Sequence, residues 1–205
     1  EPMYYENLPF RFDTRGIIYN KRGHVYKVNL GTSKFNKIVD GDKNHIISIG
    51  SLVESDKGVV FSYEKYNSKG TLLEEKVGSL ETKKINEVHS KGSMGNLFYY
   101  EGELHAVGLR NRFDWPTNTA VLKLSSNGKV TYRHRTFDRN VVKAEVNNSV
   151  LYFLYEDSGK TLLRDGTNNI DLIDAEVTVK DFAFNNDKTY VIANSFSKPD
   201  EVYEL

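Results

Sequence analysis

Val142-Lys143-Ala144-Glu145-Val146-Asn147-Asn148 and Val179-Lys180-Asp181-Phe182-Ala183-Phe184-Asn185-Asn186 decide the fold. Each is a strand-like stretch that ends in a pair of asparagines. Asn side chains bond to nearby backbone and tolerate left-handed φ, so the pairs mark turns. Each stretch leads at once into a second apolar strand, Val150 to Tyr155 and then Thr189 to Ala193. Each of those runs through a polar loop to a third, Thr161-Leu162-Leu163 and then Glu201-Val202-Tyr203. The matching Tyr152 and Tyr190 lie 38 residues apart.

Looser copies lie upstream. Leu97 to Tyr100 turns at Glu101-Gly102, continues through Leu104 to Leu109 and reaches Ala120 to Leu124. Another starts at His45 to Leu52, runs through Val59 to Tyr63 and continues into Thr71 to Leu73. The first is partial: Gly16 to Tyr19, His24 to Leu30 and Lys34 to Val39. Apolar residues alternate with period two nearly throughout, and no stretch reads as a helix of about ten residues or more. Leu80 to Val88 reads equally as a loop or an outer strand.

Units of about 40 residues with four short strands are the mark of propeller blades. The fold class expected is all-β: a small β-propeller of about five four-stranded blades. It forms one domain over residues 1–205. The last unit stops after its third strand. An N-terminal strand at Met3 to Leu8 is expected to pair with Asp200 to Leu205 and close the ring, since closure removes exposed sheet edges. A β-sandwich, an open β array or a fragment of a larger propeller would carry similar strand spacing.

Composition narrows the function. Lys plus Arg equals Asp plus Glu, at 28 each in 205 residues, so the basic excess of a nucleic-acid binder is missing. No apolar run approaches the length of a membrane helix, so no membrane span is expected. Cysteine is absent, which removes disulfides, thiolate nucleophiles and cysteine metal sites together. The chain opens at Glu1 without an initiator Met, which reads as a mature or excised form. An extracellular or cell-surface protein of a bacterium is the expectation, with a cytoplasmic protein as the alternative.

The C-terminal Asn194-Ser195-Phe196-Ser197-Lys198-Pro199-Asp200-Glu201-Val202-Tyr203 resembles a blade end of prolyl-oligopeptidase-type propellers. There a Ser, a Pro, an acid and a Tyr follow in this order. The resemblance covers about ten residues and implies the architecture. It transfers no catalytic residue, because the hydrolase domain of that family has no counterpart in these residues.

Neither metal nor cofactor is expected. The five histidines, at 24, 45, 89, 105 and 134, show no close ligand spacing. His105 alternates within a strand and reads as facing solvent or a polar channel. Asp40-Gly41-Asp42-Lys43-Asn44 has the oxygen donors for a hard cation, yet a tight turn between blades explains it more simply. No nucleophile elbow or phosphate loop occurs.

Two surfaces stand out. The long connection Arg110-Asn111-Arg112-Phe113-Asp114-Trp115-Pro116-Thr117-Asn118 holds the only Trp and two Arg, residue types that dominate binding hot spots. Arg110, Arg112, Asp114 and Trp115, with His105, are the candidate binding residues for a protein or carbohydrate ligand. Glu145 and Asp181 fall on the first strands of successive blades. They are the candidate acid pair should the chain be a glycosidase, whose chemistry needs two carboxylates, one of them protonated. Arg133, Arg135 and Arg139 form a second basic cluster. The leading expectation is a non-catalytic binding or sensor domain. The alternatives are the glycosidase and an accessory propeller of a larger enzyme.

Overall fold

The computed structural model describes residues 11–12, 16–17, 22–56, 58–69, 73–81, 84–89, 92–110, 118–125, 129–132, 138–173 and 176–205. Two compact units, Glu1–Ser90 and Lys91–Leu205, divide the chain.

The first unit holds β1 (Arg11–Phe12) paired with β2 (Gly16–Ile17), and β3 (Val25–Asn29) paired with β4 (Lys34–Val39). One helical turn, α1 (Gly41–Asn44), replaces the tight turn expected at Asp40 to Asn44. It forms because Asp40 caps it, accepting the Asp42 N–H, and because His45 ends it in the left-handed region. Then come β5 (Ile46–Ser55), β6 (Gly58–Tyr66), β7 (Leu73–Glu81) and β8 (Lys84–His89), in one antiparallel sheet of that order. Leu80 to Val88 is thus the end of β7 and an outer strand. Val25, Val39, Ile46, Phe61 and Tyr63 form the core of this unit.

The second unit contains three sheets. β9 (Ser93–Tyr100), β10 (Glu103–Leu109), β11 (Ala120–Leu124) and β12 (Val130–Tyr132) make the first. β13 (Val141–Asn147), β14 (Val150–Asp157), β15 (Lys160–Asp165) and β16 (Ile170–Asp171) make the second. β17 (Thr178–Asn185), β18 (Lys188–Ser195) and β19 (Lys198–Glu204) make the third. Among the described residues, every ladder is antiparallel and joins strands adjacent in the sequence, the blade topology of a β-propeller. The strands are consistent with about five blades along the chain. The proposed closing strand, Met3 to Leu8, lies outside the described residues.

The apolar run Val150 to Tyr155 is continuous because β14 is packed on both sides. Leu151, Phe153 and Tyr155 join Phe98, Val107 and Val121 of the preceding blade. Leu154, with Leu163, joins Val179, Phe182 and Val191 of the following one. Strands covered on both faces lose the polar alternation of half-exposed ones. In this central position a full-length Phe or Leu side chain contributes about 1.5–3 kcal/mol by burial.

Two-residue turns close the hairpins. Glu101-Gly102, Asn148-Ser149 and Ser158-Gly159 all have positive φ at both positions, the type I′ geometry that matches strand twist. Asn147-Asn148-Ser149, formally a glycosylation sequon, is therefore a hairpin turn, as the sequence implied.

One irregularity repeats. In each of the four larger sheets the first strand carries an extra residue against the second. Ile49 and Leu52 face Tyr63 and Phe61. Met94 and Leu97 face Gly108 and Ala106 across the corresponding shift. Val141 and Lys143 face Tyr155 and Leu154. Val179 and Asp181 face Ala193 and Ile192. These are β-bulges, which bend a strand and re-aim its side chains. At one of them only glycine fits: a Cβ on Gly108 would lie 1.8 Å from the Ser93 carbonyl oxygen.

Candidate functional site

First strands sit at the edge of their sheets, so half of their backbone groups have no ladder partner. The bulges hand these groups to the neighbouring blade. Asn96, in the bulge of β9, accepts the Ala144 N–H of β13 through Oδ1 at 2.6 Å. Lys143, in the bulge of β13, reaches the bulge of β17. Its Nζ donates to Asp181 Oδ1 at 2.6 Å and to the Phe182 carbonyl at 2.9 Å. It also pairs with Glu145 Oε1 at 2.8 Å and stands 4.6 Å over the Phe182 ring.

Both candidate acids therefore converge on one ammonium group. Burial alone would raise the Asp181 pKa. The hydrogen bond from Lys143 and the one from the Phe182 N–H outweigh it, and hold the carboxyl below its ordinary range. Burial likewise opposes the charge on Lys143, but hydrogen bonds to Asp181 and Glu145 raise its pKa. Asp181 is thus kept ionised, whereas a glycosidic general acid has to hold its proton. The strip is suited to fixing carboxylates, and it ties two first strands together.

At the Asn-pair turns the blades are joined again. Asn147 Nδ2 donates to the Asn186 carbonyl at 3.2 Å, and Asn148 Nδ2 to Asp187 Oδ1 at 3.1 Å.

The opposite ends of these strands carry the second surface. Arg112, Asp114 and Trp115 lie outside the described residues, as do Arg133 and Arg135. Both ends of the Arg110 to Asn118 connection are described, and both are anchored. At its start the Arg110 guanidinium lies 5.5 Å from the Tyr132 ring centroid. Just past its end, the Thr119 N–H donates to Asn140 Oδ1 at 3.1 Å and the Thr119 hydroxyl to the Val141 carbonyl at 2.8 Å. Asn118 Nδ2 donates to Asp138 Oδ1 at 2.9 Å. Asp138 and Asn140 flank Arg139, which borders a surface depression of about 510 Å³ with the Glu156 to Thr161 turn. Arg139 Nε donates to Asp157 Oδ1 at 2.7 Å, and that bond is the largest cause holding the Asp157 carboxyl below its usual range.

His105 corrects the expectation drawn from alternation. It is 1% exposed, so it faces neither solvent nor a channel. Its ring stacks on Phe98 at 5.6 Å and meets Tyr100 edge-on at 5.8 Å. β10 is an inner strand of its sheet and buried from Leu104 to Gly108, so a polar residue there packs inside.

Sequence reasoning named Asp40 and Asp42 as donors for a hard cation but missed His24 beside them. His24, Asp40 and Asp42 bring one ligand atom each within 4.8 Å of one another, a set able to meet a metal ion. The signal was the hairpin: Val25 pairs with Val39, so His24 and Asp40 flank one register pair. Local bonds already use much of this set. His24 Nδ1 accepts the Gly41 N–H at 3.1 Å, and Lys37 lies 3.7 Å from Asp40 Oδ2. That leaves the His24 Nε2 edge and Asp42, 3.8 Å apart.

No protein-family model matches this chain, and no curated protein matches it. Solved structures do. The chain is similar to the acylaminoacyl peptidase of Pyrococcus horikoshii, with a TM-score of 0.74 at 12% identity. The match covers 100% of this chain and 32% of that one. It is also similar to the β-propeller domain of the Trilobed protease from Pyrococcus furiosus, described as having an open velcro topology. There the TM-score is 0.64 at 10% identity, over 87% of this chain and 57% of that one. This chain thus spans about a third of the first and just over half of the second. At such identities the likeness establishes the fold: a β-propeller similar to those of these proteases. The blade-end resemblance of residues 194–203 agrees with it, and those residues form the end of β18 and β19.

Proposed function

We propose that this chain is a non-catalytic propeller serving a larger hydrolase of the peptidase class, where it binds and orients peptide substrates. The observation that carries the reading is the asymmetry of coverage: all of this chain matches only 32% of the acylaminoacyl peptidase. A propeller module beside a separate catalytic part accounts for that asymmetry. The contact surface is the anchored Arg110 to Asn118 connection with the depression beside Arg139. The Lys143 ammonium, bonded to Asp181 at 2.6 Å and paired with Glu145 at 2.8 Å, ties up both carboxylates and supports a binding role over glycoside hydrolysis.

The purified chain tests this against fluorescein-labelled N-acetylated peptides, followed by anisotropy, with peptide anilides and aryl glycosides as turnover substrates. Saturable peptide binding without turnover is expected. Turnover of an aryl glycoside that disappears in Glu145→Gln or Asp181→Asn would replace this reading with the glycosidase. Absence of any peptide binding would sink it as well.

A further inference from the structure

His105 is too deeply buried to meet a ligand, yet it is a titratable ring set in the seam between two sheets. It stands directly opposite Phe98 on β9 and Lys123 on β11, so these three side chains leave one face of their sheet. That face packs on the next sheet: Phe98, Tyr100, Val107 and Val121 share a core with Val141, Ala144, Leu151 and Phe153. All of these residues belong to the second unit. His105 Nδ1 lies 3.0 Å from the Glu103 carbonyl oxygen. A carbonyl only accepts, so Nδ1 carries the proton of the neutral ring. A second proton goes to Nε2, an atom buried from water.

The surroundings oppose that second proton. On β9 the neighbours are the Phe98 and Tyr100 rings. On β11 it is Lys123, a like charge, and the nearest carboxylate, Glu103, is already paired with Lys123. β12 offers Thr131, opposite Lys123. Across the seam Tyr155 of β14 shares the core, and the Asp165 carboxylate is bonded by the Thr167 N–H at 2.8 Å. Contact with two rings returns only part of what burying a charge costs.

The bonds that hold this seam cross it close by. Asn96 accepts the Ala144 N–H, and the Tyr100 hydroxyl lies 3.3 Å from Thr167 Oγ1. The Thr119 hydroxyl donates to the Val141 carbonyl, and the Val141 N–H donates to the Thr119 carbonyl at 2.9 Å. Thr119 anchors the Arg110 to Asn118 connection, which leaves the sheet from the strand that carries His105. The following seam is built differently. Its core is Leu154, Leu163, Val179, Phe182, Val191 and Ala193, without an ionisable group among these residues. The Lys143–Asp181 bond that crosses it stays charged at mildly acidic pH, because the Asp181 carboxyl lies below its ordinary range.

We infer that His105 is an acid-sensitive latch: proton uptake opens the seam between β9–β12 and β13–β16 and frees the Thr119 anchor. The open seam takes the proton at the ordinary histidine value of about 6.5, whereas the closed seam resists it. The latch is therefore closed above that pH, and its opening grows by up to about tenfold per pH unit below it. The inference is independent of the peptide reading, since it rests on packing within the second unit.

Native-state hydrogen exchange tests it at two equivalent amides, each corrected for intrinsic exchange. Ala144 N–H bonds across the first seam, and Phe182 N–H bonds to Asp181 Oδ1 at the second. Between pH 7.5 and pH 5 the protection of Ala144 should fall at least about tenfold relative to Phe182, and the Val141 amide should follow Ala144. His105→Phe keeps a ring in the stack, and His105→Gln keeps a donor for the Glu103 carbonyl. Neither titrates, so in both the ratio should be the same at the two pH values. An unchanged ratio in the wild-type chain overturns the inference, and so does a fall that persists in the variants. A third measurement needs no variant. An NMR titration in which the His105 ring takes its proton near pH 6.5 while Ala144 stays protected also overturns it.

Discussion

Asn96→Ala removes the acceptor that one blade lends to the next. Ala144 is fully buried, and its N–H donates to Asn96 Oδ1 at 2.6 Å. With alanine at 96 that N–H keeps its burial and loses its partner. A buried donor left unsatisfied costs about 1–3 kcal/mol. With a urea slope of roughly 2 kcal/mol/M, the unfolding midpoint should fall by about 0.5–1.5 M. The local readout is sharper: amide exchange at Ala144 should accelerate roughly 5- to 150-fold as the protecting bond disappears. Asn96→Asp is the companion variant. It keeps an oxygen acceptor, and bonds to a charged acceptor are the stronger kind, so most of the loss should be recovered. Should Asn96→Ala leave both the midpoint and the Ala144 exchange rate unchanged, the N–H is satisfied without Asn96. The account of blade coupling through first-strand bulges then falls.

Lys143→Met should cost about 1–2 kcal/mol, the sum of partly exposed ion pairs and a cation–π contact, read by urea unfolding at neutral pH. The same variant should flatten the acid limb of the stability curve. The Asp181 carboxyl lies below the ordinary value of 3.8, so its contribution is complete above that pH and is lost as pH falls through the lowered folded-state value. Leu154→Ala should cost about 2–5 kcal/mol, and Ile192→Ala in the same 205-residue chain under about 1 kcal/mol, because only the first is enclosed between two blades; equal costs would contradict the packing difference. Trp115→Ala should weaken peptide binding at least about tenfold with the thermal midpoint unchanged, and the opposite pattern would make Trp115 a packing residue.

Much of the fold was legible because blade-making depends on local signals. The Asn pairs announced the turns, and Val150 to Tyr155 announced a strand whose two faces are both covered. The bulges were not legible. Gly50-Ser51 and Gly95-Asn96 have only a glycine in common, and Val142-Lys143 and Lys180-Asp181 only a lysine, because a bulge is a matter of register and asks little of its side chains. His105 misled for a related reason. Period-two alternation separates two faces of a strand, but in an inner strand between neighbours both faces are interior. Glu145 and Asp181 were correctly placed on successive first strands, yet the residue that organises them, Lys143, drew no notice. A lysine between two acids reads as a solvated face until the next blade brings the second acid within 2.6 Å. His24 and Asp40 required the hairpin pairing before they could be seen as neighbours.

The order of strands in each sheet has a kinetic consequence. Among the described residues, every ladder joins a strand to the one before or after it in the chain, so each of these pairings closes only a short loop. Rates of folding follow the sequence separation of contacts, and local pairing places these sheets at the fast end for β-structure. On the ribosome, a blade can pair all its strands once about 40 residues have emerged, before its successor exists. The slow event is then the stacking of finished blades. That is where Asn96, Lys143 and the Asn-pair turns act, as the contacts formed last and released first.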